Sequence, residues 1–271
     1  MAYPSKPGPI RLEIGGIALA LSFSDLSLSE WIEQRYHDFI TARDDGFHAE
    51  MEIEEAAPGT SLMNEPIKFD QDVLICEAPG CRAVIDPIEC RGELAMRAER
   101  PVEQVDYYLR LAVALLAYQA GGLLFHAAAV VRRGRGFAFF GYSGSGKSTV
   151  ARLSSGDVVL NDDLVLLLPR GSGWDVFTTP FWNQYSHRPA VDSAPLAGLY
   201  LLVKSQRVFL EPLPAPLAVA EMLSCLPVIN ADSHRTATIV DRCQSILSCT
   251  PAYRLHFLLD ASFWQAVDGE V

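Results

Sequence analysis

Phe137-Ala138-Phe139-Phe140-Gly141-Tyr142-Ser143-Gly144-Ser145-Gly146-Lys147-Ser148-Thr149-Val150-Ala151-Arg152-Leu153 is the stretch that decides the fold. The first four residues are an uninterrupted apolar run, read as a buried strand. Gly141 to Ser148 then fits G-x-x-x-x-G-K-[ST], and the residues that follow read as a short helix from about Lys147 to Ser154. This strand, turn and helix form a P-loop. Gly141, Gly144 and Gly146 let the backbone curl so that successive N–H groups face inward as an anion nest, with Ser143, Ser145 and Thr149 in the same loop. Lys147 supplies a point charge to the β- and γ-phosphates, and the Ser148 hydroxyl is the expected Mg²⁺ ligand.

Downstream, Val158-Val159-Leu160-Asn161-Asp162-Asp163 is an apolar strand ending in two acids, one strand–helix–strand step after the loop. A nucleotide site needs carboxylates for the metal and, in a kinase, a base for the acceptor hydroxyl. Neighbours on an extended chain point to opposite faces, so Asp162 and Asp163 can take different tasks. Upstream, the apolar runs Leu123–Val131 and Phe137–Phe140 flank Arg132-Arg133-Gly134-Arg135-Gly136, the pattern of a β-hairpin. Its first strand carries His126. A lone histidine in an apolar run is more often a core residue, but this strand lies beside the one that delivers the loop. His126 is therefore a candidate to orient a catalytic acid.

Farther back, Pro101 opens a helix pattern through Val105, Tyr108, Leu109, Ala112, Leu115 and Leu116 that closes at Gly121. After the acids, an apolar run at Leu164–Leu168 and a loop-rich stretch from Thr178 to Pro195 lead to strands at Leu196–Val203 and Val208–Leu210. Helices are expected at Ala215–Leu226 and Ser233–Ser248, and a strand at Tyr253–Leu259. Residues 101–271 thus read as an α/β domain built on the strand–turn–helix nucleus. Residues 1–100 read as a small, mainly antiparallel α+β domain, α+β describing the whole chain. Its strands are expected at Ile10–Leu21, Ala49–Glu54, Asp72–Glu77, Ala83–Pro87 and Glu93–Ala98, with a helix at Ser29–Ile40.

The 271 residues carry 22 Lys+Arg against 33 Asp+Glu, a net charge of −11 that argues against nucleic acid as a partner. The charge is segregated. Residues 1–100 hold 9 basic and 19 acidic side chains, and residues 101–271 hold 13 and 14. A nearly neutral catalytic half suits a polyanionic nucleotide, and the acidic first hundred residues suit a basic partner or substrate segment. Six cysteines without C-x-x-C spacing argue against a metal site of that kind, and with no signal-peptide pattern at the N-terminus they point to free thiols in a cytoplasmic protein. Leu111 to Val131 lacks charged residues for a bilayer's width, yet Gly121-Gly122 and His126 interrupt it, so no membrane span is expected.

The histidine strand, the hairpin, the loop Gly141–Thr149 with Ser143-Gly144 inside it, and the strand ending in Asp162-Asp163 together resemble the HPr kinase/phosphorylase catalytic domain. That domain is distantly similar to phosphoenolpyruvate carboxykinase. The resemblance covers about residues 122–205 and trails off toward 271. It implies ATP or another phosphate donor such as GTP or pyrophosphate on Gly141–Thr149, with Lys147 as electrostatic stabiliser. It further implies Mg²⁺ on Ser148 and Asp163, Asp162 as catalytic base and His126 as that base's support. Bifunctional members carry an E-x-R-G-x-G-like segment after the acids. Here the corresponding stretch is Asp175-Val176-Phe177-Thr178-Thr179-Pro180, so the resemblance favours kinase activity over phosphorolysis.

The whole chain looks more like stand-alone relatives of that enzyme, some of which phosphorylate a serine of ribosomally made peptides such as lasso-peptide precursors. A peptide or small-protein phosphoacceptor is the expected partner, and a homo-oligomer is compatible with it. Two other readings stand beside the serine kinase: a nucleotide-binding scaffold without catalysis, and a kinase for a small metabolite. Arg132, Arg133 and Arg135 at the hairpin tip read first as a solvated turn and second as phosphate contacts. Arg188, in the long loop, is a further phosphate or acceptor candidate. His37, His48, His187, His234 and His256 read as structural or surface residues, and Trp182, Tyr185 and Trp264 as packing residues.

Overall fold

A computed structural model describes residues 8–182 and 190–269. The chain divides into two compact units, Met1–Leu116 and Ala117–Val271. In the first lie β1 (Ile10–Ile14), β2 (Ile17–Phe23), α1 (Leu26–Arg35), β3 (Phe47–Glu55), β4 (Ile67–Asp70), β5 (Val73–Ala78), β6 (Cys81–Asp86), β7 (Arg91–Ala98) and most of α2 (Pro101–Gln119). The second holds β8 (Leu123–Arg132), β9 (Arg135–Phe140), α3 (Lys147–Leu153), β10 (Val158–Asn161), β11 (Leu164–Arg170), β12 (Gly173–Phe177) and β13 (Ser193–Lys204). It ends with β14 (Phe209–Pro212), α4 (Ala215–Ser224), α5 (Thr236–Cys249), β15 (Ala252–Phe257) and α6 (Phe263–Gly269).

The first unit is a seven-stranded sheet in the order β1-β2-β3-β7-β6-β5-β4. Its antiparallel hairpins flank a parallel centre, because β2 pairs β3 and β3 pairs β7 in parallel; the sheet is mixed. Strict alternation on β3 turns Phe47, Ala49, Met51 and Ile53 into the core and leaves His48, Glu50, Glu52 and Glu54 outside. The helix α2 fastens to this sheet through Tyr108, whose hydroxyl donates to the Val84 carbonyl at 2.9 Å. It fastens to α1 through Asp106, which accepts from the Tyr36 hydroxyl at 2.5 Å and pairs with Arg35 and Arg110.

The second unit is an eight-stranded arrangement in which two long strands each pair with three neighbours. The first four residues of β8 pair with β11 and the rest with β9, while Ala129, Val130 and Val131 also pair with β10; β13 pairs first with β12, then with β9 and with β15. The strand that feeds the glycine-rich turn is therefore central, antiparallel to β8 and parallel to β13, which is in turn parallel to β15. On one face, Phe137, Phe139, Tyr200, Leu255 and Phe257 pack against Val150 and Ala151 of α3 and Phe263, Trp264 and Val267 of α6.

Three elements were not expected from the sequence: β4, β12 and α6, each seven residues or fewer. The apolar stretch 111–131 is split between a helix ending at Gln119 and a strand starting at Leu123. Among the described residues no helix is long and apolar enough to cross a membrane.

Candidate functional site

The turn after β9 is shaped by positive φ at Gly141, Gly144 and Gly146, of 142°, 80° and 116°. At Gly146 a side chain is excluded twice over, because a Cβ there would also meet Cζ of Phe257 at 2.7 Å. Within the turn Ser145 N–H donates to the Tyr142 carbonyl at 3.1 Å, and α3 begins when Val150 N–H donates to the Gly146 carbonyl at 2.9 Å. Lys147 is buried, and its Nζ donates to the carbonyls of Gly141 at 2.9 Å and Tyr142 at 3.2 Å. Burial pulls its pKa below the ordinary lysine value, partly offset by the attraction of Cys225 and Asp163.

Two features of the turn fit a bound phosphate chain. No group among the described residues accepts from the backbone N–H of Gly144, Gly146, Lys147 or Ser148. The Ser145 hydroxyl is also without a partner although its residue is only 1% exposed. The first N–H groups of a helix have no acceptor of their own and a buried hydroxyl is almost always satisfied, so the set left open at this turn fits a ligand rich in acceptor oxygens. Tyr142 projects from the same turn, 73% exposed.

The acids stand at the end of β10. Asp162 is 5% exposed, whereas the Asp163 side chain is 24% exposed. His126 is directly opposite Leu164 in the β8–β11 register, which brings its Nε2 within 3.3 Å of Asp163 Oδ1. The contact thus joins the histidine to the second acid, where the family resemblance assigns it to the first. Asp163 also lies close enough to Lys147 to favour its charged form. Among the described residues no three His, Cys, Asp or Glu side chains cluster as a ready-made metal cage. The donors present, one or two carboxylates and the exposed Ser148 hydroxyl, suit Mg²⁺ held mainly by phosphate oxygens and water.

Three residues in this site have no assigned role in the sequence reading. Asn161, 1% exposed, accepts from the N–H groups of Asp162 and Asp163 through Oδ1, and Thr179 receives its Nδ2. Cys225, beyond α4, accepts from His126 N–H through its carbonyl at 2.8 Å and has its Sγ 4.0 Å from the Gly141 carbonyl. No sequence pattern points to Cys225; the polar Asn161 closing an apolar strand is a signal for an Asx turn.

The arginine cluster at the hairpin tip is engaged in the fold. Arg132 forms a forked pair with Asp268 of α6 at 3.1 and 2.9 Å, a third bond to Asp157 at 2.7 Å, and lies 4.8 Å over the Trp264 ring. Arg133 also reaches Asp268, at 3.4 Å, and Arg135 lies over Phe137. Trp264 packs in the core and donates to the Ser154 hydroxyl at 3.1 Å. His256 stacks on Phe209 with ring centroids 4.0 Å apart, and His37 pairs with Asp38. Arg188, His187 and Tyr185 lie outside the described residues.

A family model described as SynChlorMet cassette protein ScmC matches residues 100–271. The chain belongs to that family. The match takes in the helix α2, His126, the glycine-rich turn and both acids. No curated protein matches the sequence. Among solved structures the chain is similar to the HPr(Ser) kinase/phosphatase from Coxiella burnetii, at 12% identity over 54% of this chain and 95% of that one, with a TM-score of 0.32. A likeness at that score bears on neither residue roles nor activity.

Proposed function

We propose that the chain is an ATP- and Mg²⁺-dependent kinase that transfers a γ-phosphoryl group to a serine hydroxyl of a peptide or small protein. The observation that carries this reading is the set of open N–H donors around the buried Lys147, with an acid pair and a histidine beside it. Donors arranged in advance around a polyanion are what phosphoryl transfer requires, since positioning and charge stabilisation supply nearly all of the catalysis. Ser148 and one acid would hold Mg²⁺ from this side, and the ion would supply neutralising charge to the phosphates. In the transfer the serine oxygen bonds to the γ-phosphorus, the bond to the β,γ-bridging oxygen breaks, and the serine proton passes to an acid of the pair.

Asp162 is the proposed base and Asp163 the proposed metal group. The contact of His126 with Asp163 favours a second arrangement with the two roles exchanged. Asp162→Asn and Asp163→Asn, each assayed over a range of Mg²⁺, separate the two. The base variant loses turnover at every Mg²⁺ concentration, by about 10²-fold or more, while the metal variant recovers part of it as Mg²⁺ rises. Undiminished turnover in Asp162→Asn would remove that residue from the role of base. The family description speaks of cassette proteins, so the acceptor is sought first among neighbouring gene products. Tight nucleotide binding without transfer of label from [γ-³²P]ATP to any such product would favour a binding module over a kinase.

A further inference from the structure

Asp162 and Asp163 occupy a bend whose two backbone N–H groups both donate to one atom, Oδ1 of Asn161, at 2.7 and 2.9 Å. The Asn161 amide donates in turn to the carbonyl of Thr179 at 2.9 Å and to its hydroxyl at 3.1 Å. The Thr179 hydroxyl donates to the carbonyl of Leu164, the residue that follows the acids, at 2.5 Å, and accepts from Phe181 N–H at 3.3 Å. Asn161 and Thr179 are both essentially inaccessible to solvent. The bend is thus gripped on either side by one threonine eighteen residues downstream, and both lone-pair directions and both N–H groups of the Asn161 amide are used.

From this geometry we infer that Asn161 and Thr179 are positioning residues that set where the two carboxylates stand relative to the glycine-rich turn. The inference rests on the kinase reading for its functional consequence. Two observations support a positional over a merely packing role. The Leu164 carbonyl held by Thr179 belongs to the residue paired with His126, so the grip sets the backbone on which the His126–Asp163 contact depends. The Thr179 hydroxyl is also engaged three times, donating to the Leu164 carbonyl and accepting from the Asn161 amide and Phe181 N–H, so this buried residue is a hydrogen-bonded node and not a filler of space. Partial networks are costly and full ones rigid, and this one has its amide fully matched.

The test uses the full chain with Thr179→Val, which keeps the shape and removes the hydroxyl, Thr179→Ser, which restores it, and Asn161→Asp, which accepts from both amides but cannot donate to Thr179. Three readouts are taken: amide hydrogen exchange at Asp162 and Asp163, Mg²⁺-dependent affinity for a fluorescent ATP analogue, and kcat and KM of phosphotransfer. Thr179→Val and Asn161→Asp are expected to speed exchange at the two amides about tenfold or more, while β9 and β15 keep their protection. The Mg²⁺-dependent part of the affinity and kcat should fall about tenfold, affinity without Mg²⁺ should change by less than threefold, and Thr179→Ser should behave as the parent. Unchanged exchange at Asp162 and Asp163 in Thr179→Val overturns the grip. Faster exchange with unaltered Mg²⁺-dependent affinity and kcat overturns the positioning role. A parent protein that binds no nucleotide refutes the kinase reading, and with it the functional half of this inference, while the exchange data still decide the grip.

Discussion

Gly146→Ala tests whether the glycine-rich turn is held in a conformation that only glycine tolerates. The parent residue has φ 116° and ψ 15°, and an L-residue in a left-handed conformation costs roughly 1–2 kcal/mol. The added methyl meets a second obstacle, since Cζ of Phe257 would stand 2.7 Å away. An ordinary contact begins near 3.4 Å, so the ring must retreat by the difference, roughly 0.7 Å. Phe257 is 1% exposed and bounded by Phe263, whose ring meets it edge-on at 6.4 Å, so the retreat disturbs a filled core. Overpacking of that kind costs about 1–3 kcal/mol. Together the two effects destabilise the second unit by roughly 2–5 kcal/mol, or about 4–20 °C in melting temperature for a unit of this size. Urea unfolding read by hydrogen exchange in peptides from β9 and β15 follows that unit separately from the first. The contact is isolated by adding Phe257→Leu, which makes room for the methyl but leaves the backbone strain. The double variant should then be more stable than the sum of the single effects by roughly 1–2 kcal/mol. A melting temperature within about 1 °C of the parent, or additive single effects, would refute the reasoning.

Two further perturbations probe the rest of the chain. The hydrogen bond from Arg132 holds the Asp268 carboxyl below its ordinary pKa, and the charge of Arg133 helps. A folded value below the unfolded one gives stability that is present above the usual carboxylate range and lost as pH falls through the folded value. Acid unfolding of the parent should therefore steepen below about pH 4, and Asp268→Asn should melt lower at neutral pH with a flatter acid limb; a parallel acid limb would contradict the assignment. On the exposed face of the first unit, Glu50 and Glu52 have no ion-pair partner among the described residues. Glu50→Gln with Glu52→Gln should raise KM for a basic acceptor peptide roughly twofold to tenfold at low salt and reduce its salt dependence, and an unaltered KM would remove this face from acceptor binding.

The elements that carry the site were legible because their signals are local. Gly141 to Ser148 is a contiguous pattern, the Phe137–Phe140 run before it has nowhere to go but a core, and Pro101 and Gly121 bracket α2 by rules that hold within one turn of helix. What the sequence concealed depends on register and on distant partners. The three arginines of the hairpin tip look alike in sequence, yet Arg132 is turned inward by two acids, Asp157 and Asp268, of which the second lies 136 residues away on a helix too short to be read. The pairing of β8 and of β13 with three neighbours each is equally invisible, since a run of apolar residues does not say where along it the neighbour changes.

The acid pair shows the same limit within a few ångströms. Alternation along an extended strand separates Asp162 from Asp163 by face, but Asn161 bends the chain before the alternation can apply, and the bend depends on Thr179 eighteen residues later. Which acid receives His126 is then decided by the pairing of His126 with Leu164, a register no motif encodes. A motif therefore identifies the groups available to the chemistry, while their division of labour is set by the long-range contacts that fix a bend of two residues.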